Sequence, residues 1–150
     1  MNSKNLQNMI DIADIHALRI EKALYHIKPL QPITESILAN LSDENLGFLE
    51  LLTSRFVKLQ DFIGSKIFPQ ILSQLLEETD DQSLLDRLNK LEKIGLLPSA
   101  KAWIEMRYTR NFITHEYPDD PKITCENLNT TIDQAKKLID YWNFLRQKIL

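Results

Sequence analysis

Apolar residues recur near the start of the chain at alternating intervals of four and three: Leu6, Ile10, Ala13, Ala17, Ile20, Leu24 and Ile27. That spacing keeps one face of an α-helix continuously apolar, because a turn holds about 3.6 residues. Pro29 and Pro32 end the stripe, since proline lacks the backbone donor that a helix interior needs. His16 and His26 fall beside this stripe, ten residues apart, and so do not make a metal-binding pair one turn apart. After a connector with at most one short turn through Ile33 to Leu41, Ser42 is an N-cap and Asp43 and Glu44 suit the positive end of a helix dipole. The helix that follows carries Leu49, Leu52, Phe56, Leu59 and Ile63. Gly64 and Pro69 predict a kink or a break in it, after which Ile71, Leu72, Leu75 and Leu76 resume the pattern.

Thr79-Asp80-Asp81 is a polar interruption, with Glu77 and Glu78 on a solvated helix end. A shorter helix through Leu84, Leu85, Leu88, Leu91 and Ile94 stops at Gly95, a suitable C-terminal cap. Pro98 and Ser99 open the next helix, which runs through Trp103 to about Thr114 or His115 before Pro118-Asp119-Asp120-Pro121 terminates it. The last helix carries Leu128, Ile132, Ala135, Ile139, Trp142, Leu145 and Ile149. No segment alternates with the period of a strand. The expected fold is all-α, an antiparallel bundle of four to five helices forming a single domain over residues 1–150.

Composition narrows the function. Three glycines and six prolines in 150 residues leave little material for glycine-rich phosphate loops; neither a P-loop, a dinucleotide glycine pattern, an HExxH helix nor a nucleophile elbow is present. A net charge of −3 is unlike a protein that coats nucleic acid nonspecifically, so nucleic-acid binding is expected to be local. The single cysteine, Cys125, excludes an intrachain disulfide and a cysteine-rich zinc site. With no signal-like leader and no run approaching the roughly 20 apolar residues of a membrane span, a soluble cytoplasmic protein without membrane contact is expected.

Between Pro98 and Pro121 polar and aromatic residues crowd together: Trp103, Arg107, Tyr108, Arg110, Asn111, Thr114, His115 and Tyr117. With Arg107 as zero and a helix turning about 100° per residue, Asn111 falls at about +40°, Thr114 at about −20°, Arg110 at about −60° and His115 at about +80°. Ala102, Met106, Phe112 and Ile113 fall on the other side, so the polar residues form a band opposite an apolar face. Arg110 and His115 lie about 140° apart and do not touch in one straight helix. They converge if the helix unwinds before Pro118, or if two copies of the helix face each other across a dimer.

Such a cleft suits cleavage of an RNA phosphodiester without metal. An imidazole near neutral pKa takes the 2′-hydroxyl proton or protonates the leaving oxygen. A guanidinium holds the phosphate and its developing charge. Asn111 and Thr114 orient substrate or imidazole, with Arg107 as a further RNA contact. From Asp86 to Arg110, six basic residues (Arg87, Lys90, Lys93, Lys101, Arg107, Arg110) outnumber three acidic ones (Asp86, Glu92, Glu105). The plain alternative makes Arg107 and Arg110 surface ion-pair partners and His115 a helix-end cap.

The run Arg110-Asn111-x-x-x-His115-x-Tyr117 resembles the R-[N/D]-x-x-x-H signature of the HEPN superfamily. More narrowly it resembles the RxxxxHxY form of HepT-like toxins in HEPN–MNT toxin–antitoxin pairs, as do the approach Trp103-Ile104-Glu105-Met106-Arg107-Tyr108-Thr109 and the succession of helices. The resemblance implies a HEPN-like bundle dimerising near the motif helix, as a homodimer or a larger assembly. It implies a ribonuclease with Arg110 and His115 catalytic, needing neither metal nor cofactor, and an MNT-type nucleotidyltransferase partner that adds AMP to Tyr117. It also implies an alternative, because some HEPN relatives in nucleotidyltransferase operons look like noncatalytic binding subunits. Glu116, Asp119 and Asp120 make the rim of the motif acidic, which suits that alternative.

Overall fold

A computed structural model describes residues 4–75, 83–113 and 120–150, and these are helical apart from short connectors. The first helix, α1, spans Lys4–Ile27, and a single 3-10 turn over Lys28–Leu30 carries Pro29 just where the apolar stripe stops. A short α2 covers Glu35–Ala39, capped by the Thr34 hydroxyl. α3 spans Asp43–Phe62, and Ser42 accepts the Asn45 N–H as its N-cap. α4 (Phe68–Leu75), α5 (Leu84–Lys93), α6 (Ala100–Ile113) and α7 (Pro121–Ile149) complete the order.

The boundaries follow local chemistry. Ser83 caps α5 through the Asp86 N–H. Gly95 ends it at a φ of 81°, a left-handed conformation that glycine adopts without a Cβ penalty, and Leu96 N–H returns to Leu91 C=O. Ser99 caps α6 through the Ala102 N–H, and Glu92 accepts the Ala100 N–H from outside the helix. Asp120 caps α7 with Pro121 in its first turn. The polar interruption read at Glu77–Asp81 lies outside the described residues, as does the terminating segment up to Asp119.

Gly64 and Pro69 neither break the chain's helical path nor leave it purely α. Between α3 and α4, residues Ile63–Ile67 form one π-turn, with Phe68 N–H bonding back five residues to Ile63 C=O. A proline one residue further on has no N–H and crowds the carbonyl four residues before it. A widened turn takes up that misfit while the helical path continues.

Pairings between distant residues fix the directions. Asn5 meets Gln70, His16 meets Arg55 and Phe62, and His26 stacks on Phe48 at 4.0 Å. One index rises as the other falls, so α1 runs antiparallel to the α3–α4 rod. α7 is antiparallel to α1 by the same test: Asp14 accepts from Trp142 and Arg146, Lys136 reaches Gln31, and Asn129 bonds both the N–H and the C=O of Ile33.

Between these rods lies one core. The α1 stripe buries as read, except that Ala23 is fully enclosed and its neighbour Leu24 only half-buried. All seven apolar positions read on α7 are buried. Trp103 of α6 sits beside Phe68 (4.9 Å between ring centres) and Tyr141 (5.6 Å), and the Tyr141 hydroxyl donates to Leu96 C=O. Burial pushes the Tyr141 hydroxyl and the Cys125 thiol above their ordinary pKa values. Among the described residues no helix is long and apolar enough to cross a membrane.

His16 is half-buried and its Nδ1 lies 3.0 Å from an Arg55 Nη1 donor, so the imidazole acts as acceptor and is neutral. Burial, then the charges of Arg55 and Lys58, hold its pKa below the ordinary value of about 6.5. The unfolded chain therefore binds a proton here before the native one does, and the stabilisation is complete above about 6.5 and lost as pH falls through the native value. Melting curves taken from about pH 7.5 to about pH 5.5 are expected to show a steeper loss of Tm for the natural protein than for His16→Asn. Equal slopes would show that His16 is not held neutral.

Candidate functional site

α6 is anchored at its middle. Trp103, Met106 and Thr109 point into the bundle, and Thr109 satisfies its hydroxyl on Glu105 C=O one turn back. Trp103 lies over the π-turn: a Cβ built on Gly64 would stand 3.5 Å from the indole, an ordinary van der Waals contact. The indole thus stands over Gly64 with room for one methyl between them.

That anchoring rotates the helix relative to the sequence reading. The buried face centres on Met106, so Arg110, about 40° away on the wheel, belongs to its flank and not to the band opposite it. Arg110 is half-buried, and Ala102, expected on the apolar side, is exposed. Arg107 and Asn111 are exposed as expected, beside Ile104 and Tyr108, which are 41% and 72% exposed. Thr114, His115 and Tyr117 lie outside the described residues, as do Glu116 and Asp119 on the rim.

Arg110 reaches across to α3, where its Nη1 lies 2.7 Å from Asp61 Oδ1. The ion-pair alternative is therefore met at Arg110. Its side chain is 22% exposed and that of Asp61 59%, so water screens the pair and its contribution is about 1 kcal/mol or less. The contact fixes where the guanidinium points more than it stabilises the fold. Two atoms nearby have no hydrogen-bond partner among the described residues although both are buried: Arg110 Nε and Gln60 Oε1.

A cleft of about 240 Å³ opens here. Gln60, Asp61, Gly64 and Ser65 of the α3–π-turn segment form one wall, Trp103, Arg107 and Arg110 of α6 the second, and Leu84 and Arg87 of α5 the third. Among the described residues, three guanidinium-bearing side chains and one carboxylate border this space. Arg107 and Arg110 were singled out from sequence; Gln60 and Asp61 were not, and Arg87 entered only as part of a local charge excess. Among the described residues no group of three histidine, cysteine, aspartate or glutamate side chains is placed to hold a metal ion.

Chemically, the arrangement can receive an oxyanion. Guanidinium forks donate paired hydrogen bonds to phosphate or carboxylate oxygens. No family model, curated protein or solved structure matches this chain, so the reading of the site rests on its own geometry.

The seat of Trp103 is open to a direct check. Gly64→Ala is expected to fold normally and to be neutral or more stable by up to about 1 kcal/mol, since the added methyl meets the indole at contact distance and alanine favours helix. Gly64→Leu drives into the indole and is expected to cost about 1–3 kcal/mol in urea unfolding. A leucine tolerated as well as alanine would contradict this packing.

Proposed function

We propose that this chain is a metal-independent endoribonuclease toxin of the HEPN type, with Arg110 and His115 as its catalytic pair. Supporting this reading, the motif helix α6 brings Arg110 to a cleft edged by further arginines while leaving Arg107 and Asn111 open to solvent. The all-helical bundle around it agrees with the resemblance carried by the Arg110–Tyr117 run.

In the proposed reaction the His115 imidazole takes the 2′-hydroxyl proton of a ribose, and that oxygen attacks the adjacent phosphorus. The bond from phosphorus to the 5′-oxygen breaks, and that oxygen takes a proton from the imidazolium so formed or from water, giving a 2′,3′-cyclic phosphate and a free 5′-hydroxyl. Arg110 holds the nonbridging oxygens and stabilises the charge that grows on them. Asp61 keeps one Arg110 nitrogen engaged while others remain to bind phosphate. Asn111 and Thr114 orient the strand or the imidazole, and Arg107 binds the backbone.

The proposal places this site at a homodimer interface. The exposed apolar pair Ile104 and Tyr108, one helical turn apart beside Asn111, is the kind of surface a second copy of α6 would cover. It further assigns Tyr117 as the residue to which an MNT-type nucleotidyltransferase antitoxin transfers AMP, placing negative charge and bulk where RNA enters. The Arg110–Asp61 ion pair favours a second reading, in which Arg110 is structural and the chain is a noncatalytic HEPN subunit of a nucleotidyltransferase complex.

Cleavage of RNA by the purified protein separates the two. The nuclease reading expects Arg110→Ala and His115→Ala each to lose at least about 100-fold in rate with helix content unchanged, and to relieve growth arrest on expression. It also expects the protein to gain the mass of AMP on incubation with the partner enzyme and ATP, and Tyr117→Phe not to. Natural protein that is inert on RNA yet copurifies with the nucleotidyltransferase would establish the second reading instead.

A further inference from the structure

We propose that the outward face of α1 is a second self-association surface, on which α1 of another copy of this chain lies antiparallel. The surface is separate from the one assigned to α6, and the inference does not rest on the nuclease reading.

Pattern is the first argument. Asp11, Ile15, Leu18, Lys22 and Tyr25 follow one another at intervals of four, three, four and three, and all five are exposed. The spacing that builds the inner stripe of α1 therefore recurs on its outer side, as the seam of a helix pair requires. Ile15 and Leu18 are 53% and 46% exposed. One exposed leucine is ordinary on a protein surface. Two branched residues at the middle of a seam, with the exposed Ile12 one turn before Ile15, make a connected apolar patch. The inner stripe already fills the core, so this outer seam adds nothing to the fold of a single chain.

Charge names the occupant. Asp11 stands four residues before Ile15 and Lys22 four after Leu18, so an acid and a base sit at equal distances from the middle of the seam. In an antiparallel copy, Ile15 lies beside the partner's Leu18 and Asp11 meets the partner's Lys22, each pairing made twice by the two-fold symmetry. A parallel copy would set acid against acid and base against base. The Asp11 carboxylate also accepts from Gln7 one turn back, but a carboxylate has sites for several donors. Asp14, on the flank of the seam, is held by Trp142 and Arg146 on the α7 side.

Place in the bundle is the third argument. α1 and α6 both pack on α3 and α7, from opposite sides: His16 meets Arg55 and Asp14 meets Trp142 on one, while Trp103 meets Phe68 and Tyr141 on the other. An α1 pair therefore leaves α6 uncovered, and the two surfaces used together make a tetramer or a chain of dimers. From Asp11 to Tyr25 the seam is about 21 Å long. That is small for an interface between proteins, so association in the micromolar range is expected.

Sedimentation equilibrium of the full chain tests this. Ile15→Glu places a charge from each copy in the middle of the seam and is expected to halve the particle mass at micromolar concentration, with helix content unchanged. A fall from tetramer to dimer supports both surfaces; a fall from dimer to monomer supports this one and removes the α6 dimer. Asp11→Lys sets like charges opposite one another and is expected to weaken association about tenfold, and adding Lys22→Asp to the same chain to restore it. Engineered cysteines read the orientation, since Cys125 is buried. Asp11→Cys/Lys22→Cys is expected to oxidise to a covalent dimer, because about 16 Å of helix separates the two within one chain. Either single cysteine is expected to stay uncrosslinked. A mass unchanged by Ile15→Glu, a charge exchange that fails to restore association, or single cysteines that crosslink as well as the pair overturns the proposal.

Discussion

The seat of Trp103 on the π-turn is the contact from which the functional face of the molecule follows. The indole stands over Gly64, which has no side chain to meet it, with Phe68 and Tyr141 beside it. An aromatic residue of this size, 2% exposed, is worth about 3–5 kcal/mol when enclosed, and it leaves α6 one rotation and one height. Seven residues further on, two helical turns and about 10 Å along the axis, Arg110 then meets Asp61. The widened turn is itself a consequence of Pro69, so a misfit in one helix sets the register of another.

Much of this architecture was legible in the residues because it is local. The three-four stripes of α1 and α7, the Ser42 cap, the left-handed Gly95 and the Asp120–Pro121 helix start each depend on neighbours a few positions away. What the residues did not disclose is tertiary. Asp61 lies 49 positions from Arg110, and no periodicity links them. A helical wheel gives the angles between α6 residues but not which angle faces inward; Trp103 decides that, and Arg110 sits on the flank of the buried face and not in the solvent band. Gly64 and Pro69 signalled irregularity correctly, but whether a helix breaks or merely widens depends on what packs against it. Thr114, His115 and Tyr117 lie beyond the described residues, so their part of the site stands on the motif alone.

The electrostatics of the cleft and the proposed chemistry depend on each other. An arginine in open water binds phosphate weakly, because hydration competes for every donor; a desolvated one, oriented by a partly exposed carboxylate, has less to give up. Asp61 serves that end only because its ion pair is weak enough to share the guanidinium with a ligand. A fully buried pair would have locked Arg110 away. Clustering the guanidiniums in one place also reconciles an acidic chain with the proposed anionic substrate, since attraction is confined to a single small space.

In its dimeric form this reading takes Arg110 from one subunit and His115 from the other around one phosphate, since about 140° would separate them in one straight helix. Mixing Arg110→Ala protein with His115→Ala protein measures that requirement most directly. In a mixed dimer one subunit keeps the guanidinium and the other the imidazole, so RNA cleavage should return in the mixture though neither variant cuts alone. A mixture that forms hybrid dimers and still leaves RNA intact would contradict a site shared between subunits.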